Sequence, residues 1–143
     1  MVIQRWQTVW LLIAAVLMAV FCFLPMALVT DAPLDPASAT FLMPRQMPVL
    51  LAVGLLGALL FLVAIFLFKD TRRQRTVTLI GMFLSAAVIL TEVLTVYTWN
   101  SEAGAIEWMG SVFLPVGAFL FGILAYRGIR HDEKLLRAAD RLR

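Results

Sequence analysis

Four apolar runs, each close to the length of a bilayer crossing, dictate most of what this chain can become. A spanning helix needs about 20 mostly apolar residues, each rising about 1.5 Å. The qualifying stretches run roughly 6–29, 48–68, 76–99 and 108–126. The connections are "TDAPLDPASATFLMPRQM", "KDTRRQR" and "NSEAGAIE", and "RGIRHDEKLLRAADRLR" follows the last run. Of the 143 residues, 62% are hydrophobic and only 15% charged, against about 45–50% and about 25% in soluble domains. So few charges cannot clothe a water-facing surface. The expected fold is all-α: a single membrane domain over 1–143, an up-down bundle of four transmembrane helices with a cytoplasmic helical tail at 127–143. Short connections make neighbouring spans antiparallel.

Lys and Arg in short loops set the orientation of a membrane bundle. Arg5, the 69–75 connection and the tail hold nearly every basic residue, whereas the other two loops hold only Arg45. This asymmetry predicts a multi-pass protein with both termini in the cytoplasm. Trp6, Trp10 and Tyr126 then mark the inner interface, and Tyr97, Trp99 and Trp108 the outer one. A cleaved signal peptide fits the start poorly. The apolar region from Val9 to Leu24 is long for one, and no A-x-A site follows.

Small residues recur four apart at Ala15/Ala19, Gly54/Ala58, Gly81/Ser85 and Ala118/Gly122, a spacing that lets backbones approach closely in lipid. Pro25 is expected to kink the first helix and free the Phe21 carbonyl. Pro115 fits a first turn, where no intrahelical bond is lost. The loop 30–47 carries Pro33, Pro36 and Pro44, with Pro48 just beyond. It reads as a stiff connector capping the bundle, with Phe41, Leu42 and Met43 able to dip into the interface.

Inside the third run lies Glu92. At helical rise it is about 6–7 Å outward from the middle of that run and about 10 Å short of Trp99, too far for a comfortable snorkel. Ser85, Val88, Ile89, Thr95 and Trp99 share its helical face. Ser85, Glu92 and Thr95 thus form a membrane-buried polar strip that should look at the bundle or at a partner. A carboxylate at such depth costs several kcal/mol unless it is paired or neutral. Three readings stay open: an interhelical hydrogen bond from an uncharged Glu92, a water-filled outer cleft, or a proton- or ion-coupling site. The one base on that side is Arg45.

Other chemistry is thin. One cysteine, Cys22, excludes an intrachain disulfide and argues against a paired-thiol oxidase. One histidine, His131, and no cluster with metal-ligand spacing leave no metal or cofactor to expect. No phosphate loop or Ser-His-Asp set is visible, so no enzyme is expected. The tail is helical in pattern, with Glu133 and Arg137 four apart. It carries a Leu135/Ala139/Leu142 stripe and a basic set of Arg130, Lys134, Arg137, Arg141 and Arg143. Basic residues attract anionic lipid, but Asp132, Glu133 and Asp140 dilute this face, which favours a protein contact. Nucleic-acid binding is not expected, since the segment is short and lacks interleaved aromatics.

Both ends carry a resemblance. The opening "MVIQRWQTVW", read as M-I-Q-R-x-Q-T followed by an apolar run, and the close "DEKLLRAADRLR", ending A-D-R-L-R, resemble a bacterial four-helix integral membrane family of unknown function. Gln4, Arg5, Gln7 and Thr8 match the opening, and Asp140, Arg141, Leu142 and Arg143 the close; Val2 is an insertion relative to it. The resemblance implies a bacterial inner-membrane protein with no assigned activity. Both motifs fall on the cytoplasmic side, so Gln4, Arg5, Gln7, Arg137, Asp140, Arg141 and Arg143 are the candidate partner- or lipid-facing residues. The expected function is a non-enzymatic accessory or interaction subunit. Its partners would be membrane lipids and another membrane or cytoplasmic protein. The alternative is a small transporter or proton-coupled carrier using Glu92.

Overall fold

The computed structural model describes residues 2–30, 39–102 and 105–142, with side chains described outside 2–5, 96, 99–102 and 105. Pro33 and Pro36 of the long loop, Arg143, and the side chains of Gln4, Arg5 and Trp99 lie outside the described residues. Four helices dominate: α1 (Val2–Phe21), α2 (Pro48–Phe66), α3 (Thr71–Glu102) and α4 (Phe113–Arg141). Of these, α2, α3 and α4 are long and apolar enough to cross a membrane. The apolar part of α1 over Trp6–Phe21 is shorter. The outside of the bundle is as apolar as its inside. Leu12, Val16, Leu59, Phe66, Phe83, Leu90 and Leu120 all stand exposed, which suits a lipid surround and not water.

The sequence-based reading lacks one feature that the structure has. Strands β1 (Ala27–Thr30), β2 (Ala39–Leu42) and β3 (Ala105–Trp108) form an antiparallel sheet in the order β2-β1-β3. Ala27 is level with both Leu42 and Trp108, and Thr30 with both Ala39 and Ala105. The fold is therefore not wholly α. The physical cause begins at Pro25. It has no N–H to give and it disfavours helix at Leu24. α1 accordingly stops at Phe21, with the Phe21 carbonyl accepting from Leu24 N–H at 3.3 Å. The run 6–29 is thus a helix followed by a strand, and Pro25 ends the helix instead of kinking it. Val29 and Thr30 are β-branched and suit the strand. The end of the fourth run that was expected to start a helix at Trp108 is likewise strand. A 3-10 turn over Gly110–Val112 leads into α4 at Phe113.

Further hydrogen bonds tie the cap's segments to one another. Met26 N–H donates to Leu42 O at 2.9 Å, Met109 N–H donates to Met26 O at 3.1 Å, and the Ser111 hydroxyl donates to the Pro25 carbonyl. Pro44 opens a 3-10 turn over Pro44–Gln46, and Pro48 takes the first position of α2, where its missing N–H is harmless. Pro115 lies buried in the first turn of α4, as its spacing implied.

Each helix packs on its chain neighbours, and α1 on α4. Small residues set the spacing. A Cβ added at Gly57 would come within 2.9 Å of Met18, and one at Gly54 within 2.7 Å of the Cys22 sulfur. The Phe61 ring, fully buried, fills the centre. It lies 3.1 Å from the place a Cβ would take at Gly81 and 3.4 Å from that at Gly122. Glycine at position 81 lets α3 approach the ring closely, and glycine at 122 spares Met82, whose Cγ would lie 2.8 Å from a Cβ there. Along α1 and α2 Met18 meets Gly57 and Cys22 meets Gly54, and along α2 and α3 Phe61 meets Gly81 and Leu84 meets Gly57, so within each of these two pairs the numbering of one helix falls as its neighbour's rises. The Gln7–Asp132 bond sets the early part of α1 beside the later part of α4 at one end of the bundle, and the sheet lies at the other.

Candidate functional site

The inward line of α3 carries four polar side chains between Gln74 and Glu92. Gln74, Thr78, Ser85 and Glu92 are all buried, with Gly81 and Val88 between them. Steps of four and three keep such residues on one helical face. The other three helices bury almost only apolar and small side chains there. This is the strip that the spacing of Ser85 and Glu92 announces, extended about three turns further toward the start of α3.

The strip is not a hydrogen-bonded network. Thr78 donates to Gln74 O at 2.9 Å, Ser85 to Gly81 O at 3.0 Å and Thr95 to Thr91 O at 2.8 Å. Each hydroxyl thus closes on its own helix, as Ser and Thr do when no outside partner competes. Glu92 is 2% exposed, and neither of its carboxyl oxygens has a hydrogen-bond partner among the described residues. An interhelical hydrogen bond, one of the three readings left open for Glu92, is not formed by any of them. Arg45 sits exposed in the 3-10 turn and makes no ion pair with Glu92. The neighbouring pairs, Leu84 with Gly57 and Met82 with Gly122, continue along the helices to put Glu92 level with Leu50 and Val112. This register carries Glu92 toward the sheet end of the bundle.

The other polar cluster lies where the early part of α1 and the start of α3 meet α4. Glu133, 6% exposed, accepts from Arg75 Nη1 at 2.7 Å on one oxygen and from Arg137 Nη2 at 2.6 Å on the other. Beside it, buried Gln7 donates Nε2–H to Asp132 Oδ2 at 2.6 Å. Gly128 makes room for this. A Cβ there would lie 2.7 Å from Gln7 Cγ. Three helices, α1, α3 and α4, are thereby pinned by charge-assisted bonds. Arg75 and Glu133 are 58 positions apart, and Gln7 and Asp132 are 125 apart, so no local pattern in the sequence reveals them. The burial of Gln74 and Thr78 was legible as a continuation of the Ser85–Glu92 spacing.

The candidate outward-facing residues separate. Gln7 is spent inside the bundle. Arg137 is exposed but gives one guanidinium nitrogen to Glu133. Asp140 and Arg141 are exposed on the last turn of α4. Around them Leu135, Leu136 and Leu142 are 53%, 56% and 90% exposed. The tail is not a separate element: α4 runs unbroken from Phe113 to Arg141. Cys22 is buried, and its thiol donates to Met18 O at 3.3 Å. No curated protein matches the sequence. A family model described as "Domain of unknown function (DUF4293)" matches residues 3–142, nearly the whole chain, and the chain belongs to that family.

Proposed function

We propose that the protein is a non-enzymatic interaction subunit of the bacterial inner membrane, an up-down bundle that docks a partner protein through the cytoplasmic extension of α4. One observation carries the reading. Beyond the apolar part of α4, the helix continues as a rod braced on one side by the Arg75–Glu133 and Gln7–Asp132 bonds, while Leu135 and Leu142 stand bare. Exposed leucines on an ordered helix outside the lipid suit a helical or grooved protein partner. The basic residues of the 69–75 turn and of the tail lie at the end that carries both termini, which supports a cytoplasmic placement of that end by the positive-inside rule. A photo-crosslinking residue placed at 135 or 142 in native membranes tests the reading. A discrete protein adduct at these positions, absent with the crosslinker at lipid-facing Leu124, is the expected result. Equal or no adducts at all three refute it.

A second reading has its own observation, the buried and unbonded carboxyl group of Glu92. Under it the protein is a small proton- or ion-coupled carrier, and Glu92 binds the coupling ion beneath the sheet. Flux in reconstituted vesicles, compared between wild type and Glu92→Gln, decides it. Flux that is absent, or unchanged by the substitution, removes the carrier.

A further inference from the structure

We infer that Arg127, Arg130, His131 and Lys134 form a binding site for the phosphate of an anionic phospholipid headgroup. The four side chains line one pocket of about 320 Å³ on the outward side of α4. They are spaced three, one and three apart, so they share a helical face over two turns. All four are exposed, and among the described residues none forms an ion pair or a side-chain hydrogen bond.

The charges of this segment are mixed along the sequence but sorted in space. Asp132 and Glu133 interrupt the basic run, yet both turn inward. Asp132 takes its bond from Gln7, and Glu133 is held between Arg75 and Arg137. Glu133 is buried against α3 and Asp132 half-buried against α1, and the outward face keeps its cations. The dilution expected from the sequence therefore does not apply to these turns. Asp140 lies beyond Lys134 by about 9 Å of helix.

The height of the site fits a lipid and not a soluble ligand. Arg127 follows directly on the apolar run that ends at Tyr126. The headgroup layer is about 5–7 Å deep on each side of the hydrocarbon, and Arg127 to Lys134 covers about 10 Å of helix. Arg127, Arg130 and His131 thus stand within the headgroup layer and Lys134 at its edge, all pointing away from the bundle toward lipid. The arginines supply paired N–H donors that match phosphate oxygens, Lys134 a point charge, and His131 a ring N–H. The pocket beside Arg72 and Arg73 is less suited, because Arg73 is already paired with Asp70 at 3.1 Å.

The test uses the full chain in vesicles of pure phosphatidylcholine and in an equimolar mixture with phosphatidylglycerol. Lipid retained on the protein is read by native mass spectrometry. Wild type is expected to retain phosphatidylglycerol in preference, and the Arg127→Gln/Arg130→Gln/His131→Gln/Lys134→Gln variant to lose about ten-fold of that preference. Arg72→Gln/Arg73→Gln should keep it. Should the fourfold variant not fold, a photoactivatable phosphatidylglycerol on wild type is expected to label residues 127–134. An unchanged preference in the folded fourfold variant overturns the site, and so does lipid labelling confined to other segments. Full displacement of lipid by inorganic phosphate would show a free-anion site instead. Capture of an acidic protein by the four residues, with no lipid preference, would also refute it.

Discussion

Arg75 on α3 places Nη1 2.7 Å from Oε2 of Glu133 on α4, while Arg137 holds the other Glu133 oxygen from within the same helix. The carboxylate is almost fully buried, and its two bases are half-exposed and exposed. One pair is local, at four residues' separation; the other ties two helices together. Removing the acid would leave Arg75 without its anchor at the end of the bundle where the helices leave the apolar layer.

Glu133→Ala is therefore expected to destabilise the bundle by about 1–2 kcal/mol, below the full cost of breaking a buried pair because both arginines keep access to water. Arg75→Ala should cost less, since Arg137 remains. In a double-mutant cycle the double variant should lose less than the sum of the two single losses, with a coupling of about 1 kcal/mol. Reversible unfolding in mixed detergent micelles measures all three.

Phe61 is the second hinge of stability. Phe61→Ala empties the space between Gly81 and Gly122 and is expected to cost about 3 kcal/mol. Gly122→Leu attacks the same contact from the other side. A Cβ at that position would meet Met82 at 2.8 Å, and a loss of about 2 kcal/mol is expected from overpacking. Combining Phe61→Ala with Gly122→Leu should recover part of both losses, because the new leucine enters the vacated space. The same unfolding assay reads the recovery.

Glu92→Leu is expected to hold stability level or raise it by about 1 kcal/mol, because it replaces a buried group with no bonding partner by an apolar one of similar size. A drop in unfolding free energy would mean that the carboxyl group has a partner. The comparison is sharpest in the same membrane mimetic, with Ser85→Ala as a companion of small effect.

The register of the cap can be read chemically. Leu28 faces Glu107 across β1 and β3, at a cross-strand Cβ separation of about 4.5–5.5 Å. In a Cys22→Ala background, Leu28→Cys with Glu107→Cys is expected to oxidise to a disulfide readily. Leu28→Cys with Ile106→Cys should not, because a one-residue shift turns the side chain to the opposite face. Gel mobility before and after reduction distinguishes them.

The sequence by itself determined that the chain builds apolar helices. Nothing but the length and hydrophobicity of the runs is needed for that, and the apolar exterior of α2, α3 and α4 follows from the same excess. It also determined the burial of Ser85 and Glu92, since helical spacing alone sets which side chains share a face. Pro115 was legible for the same local reason. The cap was not. A four-residue strand such as Ala27–Thr30 looks like the tail of a hydrophobic helix until Pro25 has stopped that helix and two other segments have come alongside to take its hydrogen bonds. Nor could the sequence say that Gln7 would be consumed by Asp132, or that Asp132 and Glu133 would turn inward and leave the face of Arg127 to Lys134 cationic. Those outcomes depend on which helix lies beside which, and on the steric gaps at Gly128, Gly81 and Gly122. The tertiary structure decided them because a hydrogen bond or an ion pair between residues distant in the chain forms only where packing has already brought the backbones together.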